Sequence, residues 1–330
     1  MKLASLQSSH SDGLLILVSK DMSQASLVTD IAPTLQYAIN HWQQLETSLQ
    51  ARYELLNKGE DHNAFPFHPQ QTTAPLPKTY QWLDGSAFLN HSDLMQKAFH
   101  LDPIVGADKT PLMYQGAGDD FLGGYDPIIA ISEDHGIDFE GEVAVIVDDV
   151  PMGCGKQESL GHIKLIVQLN DISLRAFAPK EMKTGFGFIQ AKPSTSFAPI
   201  AITPDELGDA WQDGRIHLPL QVTWNNQWFG HPNGREMSFG FHQLVSHAAK
   251  TRKLSAGSII GSGTLSNADR EAGSACISER RAIEMIANQG VPSTEFMKFG
   301  DRIQMDILDE SGQSMFGGID QFVQPYSPKN

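Results

Sequence analysis

The sequence predicts a mixed β/α protein that is mostly β, with a small α+β domain ahead of a larger one. Three observations lead to this prediction. The N-terminal part combines a β-hairpin pattern with one long amphipathic helix, a proline-rich segment follows, and the remainder consists of short apolar runs separated by glycine and proline. The regular strand–helix alternation of a doubly wound sheet does not occur. We therefore expect a small domain over residues 1–70 and a larger one over residues 71–330.

The N-terminal elements follow from local patterns. Lys2-Leu3-Ala4 and the apolar run Leu14 to Val18 predict two strands, with Ser11-Asp12-Gly13 as the turn between them. Apolar residues then recur at steps of three and four, which predicts one helix over residues 33–57. The residues of this stripe are Leu35, Ala38, Ile39, Trp42, Leu45, Leu49, Tyr53 and Leu56. Four prolines among polar residues predict a linker, at Pro66, Pro69, Pro75 and Pro77.

One helix start is well marked in the larger part. Thr203-Pro204-Asp205-Glu206 places a capping threonine, a proline at the first helical position and a glutamate at the third. Two further helices are expected to begin near Ser92 and Ser238.

Composition narrows the function classes. The chain has 24 basic and 39 acidic residues and a net charge of −15, and no basic block stands out, so nucleic acid is excluded as a partner. Its two cysteines, Cys154 and Cys276, have neither metal nor redox spacing, which indicates a reduced, cytoplasmic protein. The apolar run Leu14 to Val18 is too short to span a bilayer and lacks signal-peptide features, so we expect no membrane association.

Two acidic residues point to a metal. Glu140 and Glu142 stand two apart before a fully apolar run, so in a strand they share a face with bases about 7 Å apart. Placing two carboxylates close together costs free energy unless a cation or a proton compensates their charge, which favours a metal site. The alternative interpretation is that the two residues lie at a solvent-exposed strand end. Asp84 and Asp171 complete an oxygen-rich set without cysteine or histidine, which suits Mg²⁺ or Ca²⁺.

Familiar motifs of other enzymes are incomplete. Gly261-Ser262-Gly263-Thr264 follows an apolar pair, but Ser266 stands where a dinucleotide fingerprint needs glycine. The histidines form no His-Glu-x-x-His pattern, which argues against a zinc protease.

Several segments in order resemble the fumarylacetoacetate hydrolase family, from about residue 78 to residue 325. They are Asp84 to His91, Asp138 to Glu142, Asn170 to Arg175, Lys192 to Ser196, Gly261 to Ser266, and Gly300 to Gly318. The resemblance implies the mixed β-roll of that family and a homodimer. It also implies a divalent metal, Mg²⁺ or Ca²⁺ with Mn²⁺ as a further option, held by four carboxylates: Asp84, Glu140, Glu142 and Asp171.

The same resemblance implies an activity. A metal-dependent hydrolase would cleave the carbon–carbon bond of a 1,3-diketo acid, foremost fumarylacetoacetate to fumarate and acetoacetate in tyrosine and phenylalanine catabolism. His91 would be the general base, oriented by Glu279, and Lys192 would stabilise negative charge. The implied substrate contacts are Tyr114, Arg175 and Thr264.

Departures from the animal enzymes leave the substrate open. Where those enzymes carry residues that bind the substrate, this chain has Ser86, His100, Ala176, Ala178 and Met182. An acylpyruvate hydrolase is therefore one alternative, and an oxo-acid decarboxylase, isomerase or hydratase of the same fold is another. A non-enzymatic binding protein is the distant rival, and it is disfavoured because all four metal carboxylates are retained.

Overall fold

The computed structural model describes residues 1–328. Its strands are β1 (Lys2–Leu6), β2 (Leu14–Val18), β3 (Gln24–Leu27), β4 (Ala64–Pro66), β5 (Trp82–Gly85), β6 (Met113–Gly116), β7 (Leu122–Gly123), β8 (Ile128–Ala130), β9 (Ile137–Asp138), β10 (Gly141–Val147), β11 (Ile163–Asn170), β12 (Ser173–Leu174), β13 (Ser196–Phe197), β14 (Ile200–Ile202), β15 (Trp211–Gln212), β16 (Arg215–Ile216), β17 (Leu220–Trp224), β18 (Gln227–Gly230), β19 (Ile259–Gly261), β20 (Arg302–Ile307) and β21 (Ile319–Pro325). Its α-helices are α1 (Leu35–Asn40), α2 (Trp42–Lys58), α3 (Leu89–Phe99), α4 (Lys156–His162), α5 (Ala178–Thr184), α6 (Phe241–Ala248) and α7 (Ile277–Ala287).

A large mixed sheet forms the centre of the fold. Its strand order is β4-β3-β2-β1-β14-β11-β10-β19-β5-β6, and β13 and β7 extend it beside β11. Strand β10 is antiparallel to β11, whereas β19 is parallel to β5. A second sheet has the order β18-β17-β20-β21-β8. The predicted mixed β/α class with a small α+β N-terminal part is confirmed.

The predicted N-terminal hairpin is present. Strands β1 and β2 pair antiparallel from Lys2 opposite Val18 to Leu6 opposite Leu14. The turn needs glycine, because Gly13 has φ +67° and a Cβ there would lie 2.9 Å from the carbonyl oxygen of Leu6.

The prediction of one continuous helix over residues 33–57 is wrong at one position. His41 leaves helical geometry, at φ −121° and ψ 24°, and separates α1 from α2. Its Nδ1 hydrogen-bonds the carbonyl oxygen of Tyr37 at 2.9 Å, and the two rings stack with centroids 4.3 Å apart. This local side-chain interaction favours an end of the helix at His41 over its continuation. The spacing of apolar residues carries no information about such an interaction.

The N-terminal strands belong to the same sheet as the strands of the larger part. Strand β1 pairs with β14, which in turn pairs with β11. The proline-rich segment lies along β1: the amide of Gln7 donates to the carbonyl of Gln71, and the hydroxyl of Ser5 to that of Pro75. This segment therefore packs against the hairpin, and the division at residue 70 stays a prediction.

The other helix predictions hold in part. The start at Thr203 is correct, but the element is a 3-10 helix, Pro204–Ala210, interrupted at Gly208 with φ +50°. The hydroxyl of Thr203 contacts the amino group of Met1, a distant partner that local sequence cannot reveal. Helices α3 and α6 begin at Leu89 and Phe241, three residues from each predicted start.

The two central strands are buried on both faces. In β10, Val143 and Val145 belong to one hydrophobic cluster, while Ala144 and Ile146 belong to the other. This explains why β10 reads as a continuous apolar run from Val143 to Val147 instead of an alternating pattern. Within residues 1–328, no helix is both long enough and apolar enough to cross a membrane.

The turn at Gly13 can be tested by substitution. We expect Gly13→Ala to lower the free energy of unfolding by about 1 kcal/mol or more, because alanine must adopt a left-handed conformation there. Gly161→Ala is the matched control: Gly161 lies in α4 with open space around its Cβ position, so alanine should be neutral or slightly stabilising. Equal effects of the two substitutions in urea unfolding would contradict this account of the turn.

Candidate active site

Three carboxylates converge where the central strands end. Asp84 lies in β5, Glu142 in β10, and Asp171 directly follows β11. One carboxylate oxygen from each lies within 4.8 Å of the other two. Asp84 is 6% exposed, and Glu142 and Asp171 are fully buried. The sheet therefore brings together residues that are far apart in the chain.

Two glycines make room for this carboxylate cluster. A Cβ at Gly261, in β19, would lie 2.3 Å from Oδ1 of Asp84. Gly263 has φ +74°, and its amide donates to the same oxygen at 3.0 Å. The Gly-Ser-Gly segment therefore lets the backbone pass close to Asp84. This accounts for both glycines without invoking a dinucleotide-binding site.

The cluster suits a hard divalent cation. Burial, followed by the negative charge of Asp171, raises the pKa of Asp84 to about 8. Burial and Asp84 together raise the pKa of Glu142 well above its usual range, and neither carboxylate oxygen of Glu142 has a hydrogen-bond partner among the described residues. Three buried carboxylates that repel one another, with Glu142 lacking any donor, fit an oxygen-coordinated ion, which Asp84, Glu142 and Asp171 would hold.

Glu140 is bound by two cationic side chains. Nζ of Lys192 donates to its Oε2 at 2.5 Å, and Nη2 of Arg175 donates to its Oε1. Burial opposes ionisation, but these two cations, Arg175 foremost, hold the pKa of Glu140 well below its usual range. A direct metal-ligand role for Glu140 stays a prediction.

Lys192 joins Glu140 to the carboxylate cluster. Its Nζ also donates to Oδ2 of Asp171 at 2.5 Å. Burial acts to lower its pKa, yet the charges of Asp171 and Glu140 raise the pKa of Lys192 above its usual value. The side chain is therefore a fixed ammonium ion, suited to stabilising negative charge.

Tyr114 and a residue that sequence reasoning missed complete the surroundings of Asp171. The hydroxyl of Tyr114 donates to Oδ2 at 2.5 Å, and the hydroxyl of Thr195 donates to Oδ1 at 2.8 Å. Burial and Asp171 raise the pKa of Tyr114 well above its usual range, so it stays protonated. Thr195 follows Lys192 by three residues, and this closeness in sequence was the one signal that could have marked it as a site residue.

The structure brings His91 and Glu279 together. His91 lies in α3 and Glu279 in the first turn of α7, and Nδ1 of the histidine is 2.8 Å from Oε2 of the glutamate. Glu279 is fully buried and the His91 side chain is 18% exposed. A positioned histidine with a buried carboxylate behind it has the geometry of a general base.

The predicted substrate contacts differ in their surroundings. Arg175 is occupied by protein carboxylates, because Nε donates to Oδ2 of Asp138 at 2.8 Å and Nη2 to Glu140. Thr264 follows Gly263 and is 5% exposed. Asp138 precedes Glu140 by two residues in the same sequence motif, but the motif alone assigned it no role.

The class of this protein follows from a mixed β fold that holds a buried carboxylate cluster and a His–Glu pair. Residues 81–323 match the family model described as the fumarylacetoacetate (FAA) hydrolase C-terminal domain, and residues 1–78 match fumarylacetoacetase N-terminal domain 2. The chain belongs to the fumarylacetoacetate hydrolase family, whose members are hydrolases, isomerases and tautomerases that bind a divalent metal.

Individual relatives are distant. A 2,4-didehydro-3-deoxy-L-rhamnonate hydrolase of Sphingomonas sp. (strain SKA58) is 27% identical over 157 residues, or 47% of this chain. The chain spans about half the length of the curated relatives it matches, and 52% of this hydrolase.

Solved structures show the same fold over nearly the whole chain. A fumarylacetoacetate hydrolase of Exiguobacterium antarcticum is 18% identical, covers 99% of this chain and 100% of its own, and has a TM-score of 0.67. A maleylpyruvate hydrolase of Sphingobium sp. SYK-6, in complex with manganese(II) and pyruvate, is 15% identical with the same coverage and a TM-score of 0.65. At sequence identities this low, the similarity shows a shared fold and nothing more specific.

The raised carboxylate pKa values predict a pH-dependent stability. In metal-free protein, Asp84 holds its proton more tightly folded than unfolded, so its contribution is complete below about pH 3.8 and is lost as the pH rises through about 8. A divalent ion should remove this loss and raise the unfolding midpoint by about 5 °C at a hundredfold excess over its Kd.

Thermal unfolding of chelator-treated protein at pH 5 and pH 8, with and without Mg²⁺ or Mn²⁺, measures both effects. Glu142→Gln is the companion variant, which we expect to flatten the pH dependence and to abolish the metal shift. A metal-induced rise that survives in Glu142→Gln would place the ion elsewhere.

Proposed function

We propose that the protein is a metal-dependent hydrolase that cleaves the carbon–carbon bond of a 1,3-diketo acid, with fumarylacetoacetate as the foremost substrate. The single observation that supports this most is a buried carboxylate cluster next to a His–Glu pair. The backbone of Glu140 pairs with that of Cys276, three residues before Glu279, which brings the His91–Glu279 pair close to the charged site. Hydrolysis needs both parts, because water must be deprotonated and a carbanion must leave.

Each side chain then has a distinct task. A cation held by Asp84, Glu142 and Asp171 would act as a Lewis acid toward keto oxygens. His91, oriented by Glu279, takes a proton from the attacking water. Lys192 presents a fixed positive charge at the same site, which stabilises the negative charge that develops as the carbon–carbon bond breaks.

An acylpyruvate is the second candidate substrate. Its support is the set of departures at substrate positions, among them Ser86 and His100, together with the fold shared with a maleylpyruvate hydrolase. Arg175 adds to this, since its guanidinium is already engaged by Asp138 and Glu140 and is less free to bind a second substrate carboxylate. Homodimer assembly and a cytoplasmic location remain parts of the proposal.

The deciding assay is the decay of fumarylacetoacetate absorbance with metal-stripped protein, before and after Mg²⁺, Ca²⁺ or Mn²⁺ is restored. Fumarate and acetoacetate as products would support the substrate. Turnover of acylpyruvates alone would move the proposal to the second candidate. Absence of turnover with either class, in protein that binds the metal, would contradict hydrolysis.

His91 should be essential to this turnover. We expect His91→Ala to lower kcat by about 100-fold or more while metal affinity is retained, because the imidazole moves a proton and does not hold the ion. His62→Ala is the control, since His62 is exposed in the loop before β4 and should leave kcat unchanged. Full activity of His91→Ala in steady-state kinetics would exclude the general-base assignment.

A further inference from the structure

Asp138 lies fully buried between two parts of the candidate active site. On one side, its Oδ2 accepts from Nε of Arg175 at 2.8 Å, and Arg175 also binds Glu140. On the other side, its Oδ1 accepts from the amide of Ile277 at 2.7 Å, and Oδ2 accepts from the amide of Ser278 at 3.0 Å. One carboxylate therefore receives three N–H donors, one from the loop after β12 and two from the start of α7.

The two amides belong to the first turn of α7, the turn that carries Glu279. A helix start leaves its first amides without intrahelical partners, and a nearby anion satisfies them and favours the positive end of the helix dipole. The residue at the helix cap is Cys276, whose sulfur accepts from the amide of Glu279 at 3.3 Å. Because a thiol is a weak acceptor, Asp138 supplies the strong hydrogen bonds of this turn.

A continuous chain of polar contacts results. It runs from Glu140 through Arg175 to Asp138, then through the start of α7 to Glu279, and ends at His91. The three acidic residues of the β9–β10 segment have different partners. Glu142 lies in the carboxylate cluster, Glu140 binds the two cations, and Asp138 holds the helix.

We propose that Asp138 is a positioning residue: it fixes the first turn of α7, and through Glu279 the orientation of His91, relative to Arg175 and Glu140. This inference rests on the proposed function insofar as His91 moves a proton during turnover. An asparagine at position 138 would keep one acceptor oxygen but would turn an NH₂ group toward N–H donors, so it weakens the anchor with little change in the volume of the side chain.

A double-mutant cycle tests this role. We expect Asp138→Asn to lower kcat at least about tenfold with KM within about twofold, and to add less than about threefold to the loss in Glu279→Gln, because both act through His91. If Asp138 affected turnover independently of Glu279, the fold-losses in kcat of the two variants would multiply in the double variant. That outcome would overturn the proposal. If Asp138→Asn does not fold, Asp138→Ser replaces it in the same cycle, since its hydroxyl accepts one of the amide bonds.

Glu284→Gln is the matched control on the same helix. The carboxylate of Glu284 accepts from the amides of Ser293 and Thr294 at 2.7 and 2.8 Å, so it makes the same kind of contact away from the first turn of α7. We expect its kcat to stay within about twofold of the unsubstituted protein.

Hydrogen exchange separates a failure of this proposal from a failure of the proposed function. The amides of Ile277, Ser278 and Glu279 should exchange at least about tenfold faster in Asp138→Asn than in Glu284→Gln, whether or not the protein turns over a diketo acid. Unchanged exchange at these amides would overturn the anchoring role even if the enzyme is an active hydrolase.

Discussion

The fold and the site both depend on how buried negative charge is compensated at the ends of the central strands. Asp84, Glu142, Asp171 and Glu140 are all at most 6% exposed and lie close to one another. Isolated buried carboxylates would cost several kcal/mol each. Lys192 balances part of this charge, and the Asp84–Glu142–Asp171 cluster retains a deficit of positive charge that a divalent ion would supply.

This compensation sets the requirements for the surrounding backbone. Strand β19 must pass close to Asp84, so a side chain at Gly261 would conflict with the Asp84 carboxylate, and one at Gly263 would conflict with the carbonyl of Gly85. The apolar strands β10 and β11 are buried on both faces and hold Glu142 and Asp171 in place. The N-terminal hairpin extends the same sheet through β1 and β14, and β14 in turn pairs with the site strand β11.

Local sequence was sufficient where local physics decides the outcome. The hairpin turn at Gly13 and the apolar strand β10 followed from residue type and spacing. Local sequence was insufficient where a side-chain contact changes the structure that the apolar periodicity predicts. His41 interrupts a helix through its bond to Tyr37, and Thr203 begins a 3-10 helix while its hydroxyl contacts Met1.

The sequence by itself determined the mixed β/α class and the acidic character of the carboxylate cluster, and its resemblance to a family predicted the candidate site residues. Only the tertiary structure decided how those residues divide their tasks. Glu140 turned out to bind Lys192 and Arg175, Thr195 was added to Asp171, and Asp138 was joined to the helix of Glu279. The physical reason is that a carboxylate's role depends on which donors and charges surround it once buried, and those partners come from distant parts of the chain.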